Sequence, residues 1–233
     1  MKKLFLIAII ILGVTIYSYS FDWDNWESEG WLSFGFEFSN FFESYTDTDN
    51  ARKTVNSYIG SPGLNMQLYR FFNGSKFGIF AHGVYFGIPV VNTQNTNFNN
   101  YDWRQQAGLI LGVGYRHAIT EKLTFRSAVG FNWNVFLYYY DDYLPLYGKV
   151  SYDTTYLDVG IAGDIGLKIN ITNSLFLAFG SIAAVDFVRA VFTEAEFTDM
   201  SKIVKSTGGL KNFNMFGVRP YITLGFPMFL KSK

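Results

Sequence analysis

The chain has 233 residues, 19 basic and 19 acidic side chains and no cysteine, and it is 49% hydrophobic, 20% aromatic and 16% charged. That balance excludes a disordered chain, and the aromatic excess, with 22 Gly and 25 Phe, argues against a domain wetted on all sides. Zero formal charge leaves no electrostatic footprint for nucleic acid, and the lack of cysteine excludes disulfides, thiol nucleophiles and thiolate metal sites.

At the N-terminus, Lys2 and Lys3 precede an uncharged apolar run from Leu4 to Ile16, and Ser18 and Ser20 stand just before Phe21. The pattern predicts a signal peptide over 1–20, cleaved near Ser20, and a single domain over 21–233. The run is too short to cross a hydrocarbon core of roughly 30 Å at about 1.5 Å per residue. No later segment is apolar enough for an ordinary transmembrane helix.

Beyond the signal, apolar residues recur with a period of two. Leu32, Phe34, Phe36 and Phe38 alternate with Ser33, Gly35, Glu37 and Ser39, which places every apolar side chain on one face of a strand. Phe125, Val129, Phe131, Trp133, Val135 and Leu137 share one parity opposite Thr124, Arg126, Gly130, Asn132 and Asn134. Val159, Ile161, Ile165, Leu167 and Ile169 stand likewise against Asp158, Gly160, Ala162, Asp164, Gly166 and Lys168.

Eight strands are predicted, over 31–39, 63–72, 76–91, 103–116, 122–140, 152–170, 174–192 and 213–226. The third is apolar in both parities, so its faces stay unassigned. Connections alternate between tight turns (73–75, 118–121, 171–173) and long loops (40–62, 92–102, 141–151, 193–212), which places the two kinds at opposite ends. Ile119-Thr120-Glu121-Lys122-Leu123 and Ile171-Thr172-Asn173-Ser174-Leu175 match, which suggests hairpin units repeating about every 50 residues.

The second parity decides the class. It is rich in Gly, Ala, Ser and Asn, residues that fit the crowded interior of eight strands, whereas a soluble barrel would show Lys, Glu and Thr on its outer face. The bulky residues therefore face hydrocarbon, and closure leaves no unpaired edge in lipid. The expected fold is all-β: an eight-stranded antiparallel up-and-down transmembrane β-barrel. Trp31, Tyr101, Trp103, Tyr138, Tyr139, Tyr140, Tyr152 and Tyr156 are expected as interfacial aromatics.

The signal, the alternation from Leu32 to Phe38 and from Leu123 to Leu137, and the rhythm of short turns and long loops resemble the small outer-membrane barrels of the OmpA, OmpX and OmpW kind, with spirochaete surface barrels alongside. The resemblance implies localisation in the cell outer membrane after export through the periplasm. In that family the last strand ends in an aromatic residue at the C-terminus. Tyr221, Ile222, Leu224 and Phe226 are similar, but Pro227 to Lys233 overhang them.

Inside such a barrel, Glu37 and Arg219 belong to neighbouring strands at comparable heights and are expected to pair. Arg126, Asp158, Asp164 and Lys168 are expected in the same lumen charge network, since ions in a narrow interior need partners. A charged lining for a small-solute path is the alternative. His117 sits at a turn and His82 in the unassigned strand, with no triad around either, so no catalytic or metal-binding residues and no cofactor are expected. Asp47 to Asn50 lacks the Gly and distal Glu of a calcium loop.

The expected role is a surface-exposed structural or interaction protein, not an enzyme, because unconstrained residues gather in the long loops. The alternative is a narrow pore or apolar-solute conduit of the OmpW kind, favoured if Phe80, Val84, Phe86 and Ile88 line the lumen; a lipid-modifying enzyme comes third. Expected partners are membrane lipid and, at the loops, lipopolysaccharide or host and environmental ligands, with a monomeric barrel and no nucleic acid.

Overall fold

A computed structural model describes residues 28–46, 53–72, 75–86, 91–92, 103–144, 148–197, 202–209 and 211–230. The expected signal, its cleavage site, the Asp47 to Asn50 segment, Ile88 and Tyr101 lie outside those residues.

The strands are β1 (Ser28–Thr46), β2 (Lys53–Phe72), β3 (Phe77–Phe86), β4 (Val91–Asn92), β5 (Trp103–Ala118), β6 (Leu123–Leu144), β7 (Gly148–Asn170), β8 (Phe176–Phe197), β9 (Lys202–Gly209) and β10 (Lys211–Leu230). Eight of them close a ring in the order β1, β2, β3, β5, β6, β7, β8, β10, each antiparallel to its neighbours. The short β4 pairs with β2, and β9 continues the last strand upward along β8.

The pairing also sets the tilt. Stepping across the sheet from Ser33 through Gln67, His82, Ile110, Asn132, Gly160, Asp186 and Met215 returns to β1 at Glu43, ten positions along the strand. Such a stagger tilts the strands against the barrel axis and encloses an interior only wide enough for side chains.

The period of two sorts the faces as the composition requires. Val129, Phe131, Ile161 and Ile165 are exposed on the outside, whereas Arg126, Asn132, Asp158 and Asp164 are buried within. On β3 the even residues Phe80, His82, Val84 and Phe86 face inward, and Phe77 and Ile79 face outward. That strand is apolar on both faces because it meets lipid on one side and interior rings on the other.

The strands overrun the expected boundaries at the long-loop end. Segments read as loops within 40–62, 141–151 and 193–212 are largely strand: β1 pairs with β2 as far as Thr46 and Lys53, and β6 pairs with β7 as far as Leu144 and Gly148. Their residues show no consistent apolar face, with Phe41 inward and Phe42 outward on β1 and Val150 inward among polar neighbours on β7, so no alternation marks them, yet backbone pairing continues. At 23 residues, β7 spans roughly 60 Å along the axis at about 3.3 Å per residue and a tilt near 40°, against an apolar band of about 25 Å. Its outward residues change at Leu157, from Ile169, Leu167, Ile165 and Ile161 below to Thr155, Asp153, Ser151 and Lys149 above. Near the upper tip, Lys149 Nζ and Ser151 Oγ donate to Asp141 at 2.9 and 2.7 Å, and those bonds hold the Asp141 carboxyl below its ordinary range. β10 also runs beyond the expected end at Phe226, with Pro227 to Leu230 paired to the start of β1.

Candidate functional site: the barrel interior

Side chains from all eight ring strands fill the interior in three layers. At the tight-turn end, Trp31, Tyr69, Phe71, Phe80 and Phe176 form an aromatic cluster. The Trp31 and Phe71 rings lie 4.8 Å apart, and Tyr69 and Phe80 4.7 Å apart, within the range for tilted aromatic pairs. Two cations cap it: the Arg116 guanidinium is 4.5 Å from the Phe71 ring centre, and Lys168 Nζ is 4.4 Å from that of Trp31.

The middle layer is polar. Asp164 accepts hydrogen bonds from the hydroxyls of Tyr69 and Tyr221, the latter at 2.7 Å. Arg126 lies between those two rings and donates to Tyr221 Oη at 2.9 Å and Gln67 Oε1 at 2.6 Å. Glu37 lies 3.1 Å from Arg219 Nε and 2.9 Å from His82 Nε2, and it accepts from Asn65 at 3.2 Å. β1 pairs Glu37 with Tyr221, so Arg219 stands one inward step away on the adjacent strand. Across the lumen, Asn132 and Asn134 donate to the two oxygens of Asp186 at 2.5 and 2.8 Å.

The third layer lies toward the long-loop end. Phe41, Phe136, Phe213 and Met215 form an apolar cluster with Tyr138 and Tyr156 packed on it. Within it Arg189 grips Asp158 through two bonds, 2.7 Å from Nε and 2.6 Å from Nη2, and its guanidinium lies 4.1 Å from the Phe213 ring centre. The two-pronged geometry and ring contacts suit a desolvated arginine.

The six expected lumen ions all lie inside, but as separate groups: Glu37 with Arg219, Arg126 with Asp164 through shared tyrosines, Asp158 with Arg189, and Lys168 on the aromatic cluster. Asp186 and Arg189 escaped the sequence reading, which placed His82 only on a strand of unassigned faces. Asp186 was open to detection, since it shares the even parity of Ala178, Ile182 and Ala184.

The expected aromatic belt needs correction. Trp31 is 2% exposed and sits inside, because it shares the parity of Ser33 and Glu37 rather than that of the outward phenylalanines. Tyr138 and Tyr156 also turn inward onto the third layer, and half-buried Tyr152 shares their inward parity on β7. Tyr139 does face outward, 41% exposed at the upper edge of the apolar band. The side chains of Trp103 and Tyr140 lie outside the described residues.

No protein-family model and no curated protein matches the chain. Among solved structures it is similar to a major outer membrane protein from Thermus thermophilus, with a TM-score of 0.57 and 13% identity over 83% of this chain and 99% of that one. It is similar also to the outer membrane protein AlkL in DMPC bilayers, with a TM-score of 0.50 and 13% identity over 90% of this chain and 94% of that one. At such identities the likeness concerns the fold, and it agrees with the outward apolar band and the closed ring of strands. By fold, then, the chain is an eight-stranded antiparallel β-barrel like those of small outer-membrane proteins.

Proposed function

We propose that this barrel is a surface-exposed interaction protein of a bacterial outer membrane, non-catalytic, with its tight turns on the periplasmic side and its long hairpins outside. The observation that carries the reading is the mismatch between strand length and apolar band. A span of roughly 60 Å against about 25 Å leaves β6, β7, β8 and β9 standing in water as a sheet far larger than membrane anchoring requires. That sheet presents Tyr143, Phe192 and Ile203 to solvent on its outer face and Val204 on its inner face, exposed apolar side chains suited to contact with another molecule. Host surfaces, environmental polymers and the sugar portion of lipopolysaccharide are the partner classes within its reach. The layered interior fits a structural plug, with Glu37 beside Arg219, Asp158 held by Arg189 and Asp164 linked to Arg126 through Tyr221.

One observation favours a second reading: Phe80, Val84 and Phe86 line the lumen, as an apolar-solute conduit would need. Conductance of the purified protein in planar bilayers separates the two for ionic paths, and uptake of a hydrophobic fluorophore into vesicles does so for apolar ones. Silence in both supports the interaction protein; sustained unitary openings or catalysed uptake would overturn it.

A further inference from the structure

The tight-turn mouth holds a depression of about 450 Å³ whose lining includes Glu29, Lys122, Lys168, Asn170, Thr172 and Asn173. At its inner side is Lys168, 5% exposed, which donates to Asn170 Oδ1 at 2.7 Å and rests on the rings of Trp31 and Phe176, 4.4 and 4.9 Å from their centres. Among the described residues it forms no ion pair. The carboxylate nearest in kind, Glu29, is committed elsewhere: it pairs with Arg116 and accepts from Trp31 Nε1 at 3.1 Å. Lys122 and Glu121 at the rim balance each other. Among the described residues, Glu29 and Glu121 of the lining offset Lys122 and Lys168, and Arg116, bound to Glu29 outside the lining, leaves the mouth with one excess positive charge.

The rim is preorganised by the two matching turns. In each, the Ile and Thr amides donate to the Leu carbonyl: Ile119 and Thr120 to Leu123 at 2.9 and 3.0 Å, Ile171 and Thr172 to Leu175 at 2.9 and 3.1 Å. The threonine hydroxyl of each accepts from the turn backbone. Asn170 ties them together, its amide donating to Lys122 O at 2.8 Å and its side chain to Glu121 O at 3.3 Å. A rim fixed in this way loses little freedom on binding.

We propose that this mouth is a binding site for a small monocarboxylate, seated on the Lys168 ammonium and bordered by the polar side chains of Thr172 and Asn173. A single excess charge matches a monoanion, and the one arginine at hand, Arg116, already has its carboxylate. The site lies at the opposite end of the barrel from the protruding sheet and is independent of the function proposed above.

The test is a titration of isotope-labelled protein, folded in detergent, with acetate, acetamide and inorganic phosphate, read from the backbone amide resonances of Asn170 and Thr172. Acetate is expected to give a saturable shift and acetamide none. Lys168→Gln is expected to weaken acetate about tenfold by removing the charge-assisted bond. Lys205→Gln, a change on the protruding sheet, is expected to leave it alone. Equal responses to acetate and acetamide, a tighter response to phosphate, or an unchanged response in Lys168→Gln would each overturn the assignment. If Lys168→Gln fails to fold, acetate against acetamide on the unaltered chain still decides.

Discussion

Arg189 reaches Asp158 because β8 carries one extra residue. Val159 pairs with Val188 but Gly160 pairs with Asp186, so Phe187 is bulged out and both Phe187 and Val188 face outward. Below the bulge the inward residues of β8 are even-numbered, and above it they are odd. A bulge of this kind re-aims a side chain at the expense of one unpaired residue. Here it turns a guanidinium from the outer surface into the third interior layer.

Replacing Arg189 with Met should therefore be severe, since it removes the two-pronged guanidinium partner of the buried Asp158 carboxylate. The expected loss is about 3–5 kcal/mol, measured as reversible urea unfolding in lipid vesicles. The double variant Asp158→Asn with Arg189→Met should recover most of it. Equal stability of single and double variants would contradict the pairing.

Asp164 offers a milder case, with two tyrosine hydroxyls on one carboxylate. Tyr221→Phe should cost about 1.5–3 kcal/mol, the usual worth of a hydrogen bond to a charged group. Adding Tyr69→Phe should cost more than the two single changes together, because the carboxylate then keeps neither hydroxyl donor. Additivity in the same unfolding assay would argue against a shared network.

The apolar band predicts a contrast between two exposed isoleucines. Ile161→Arg falls within the band and should destabilise by about 2–4 kcal/mol. Ile203→Arg lies on the protruding sheet, where an exposed arginine meets water, and should change stability by less than about 0.5 kcal/mol. Similar losses at both positions would mean that the sheet is not in solvent.

The faces of the barrel were legible in the sequence wherever one side met lipid and the other met small or polar interior residues, as on β7 from Leu157 to Ile169. Where that contrast fades, the reading fails for identifiable reasons. Beyond the expected strand ends no face is consistently apolar, as with Phe41 inward beside Phe42 outward on β1 and Val150 among polar neighbours on β7, so paired strands looked like loops. On β3 both faces are apolar, so Phe80 and Val84 had no assignable side. Arg189 was hidden because a bulge breaks the parity count, and nothing in the local pattern around Phe187 announces one. Trp31 was misplaced by trusting a preference of residue type over the parity that already put Glu37 inside.

The orientation of the two parities is tested most directly by two single-tryptophan variants, one keeping Trp31 and the other Trp133, folded into vesicles of brominated lipid. Trp133 lies on the outward face of β6 beside Val159 and Leu109, while Trp31 lies within the aromatic cluster. Strong quenching of Trp133 with Trp31 left bright is the predicted result; strong quenching of Trp31 with Trp133 unaffected would contradict it.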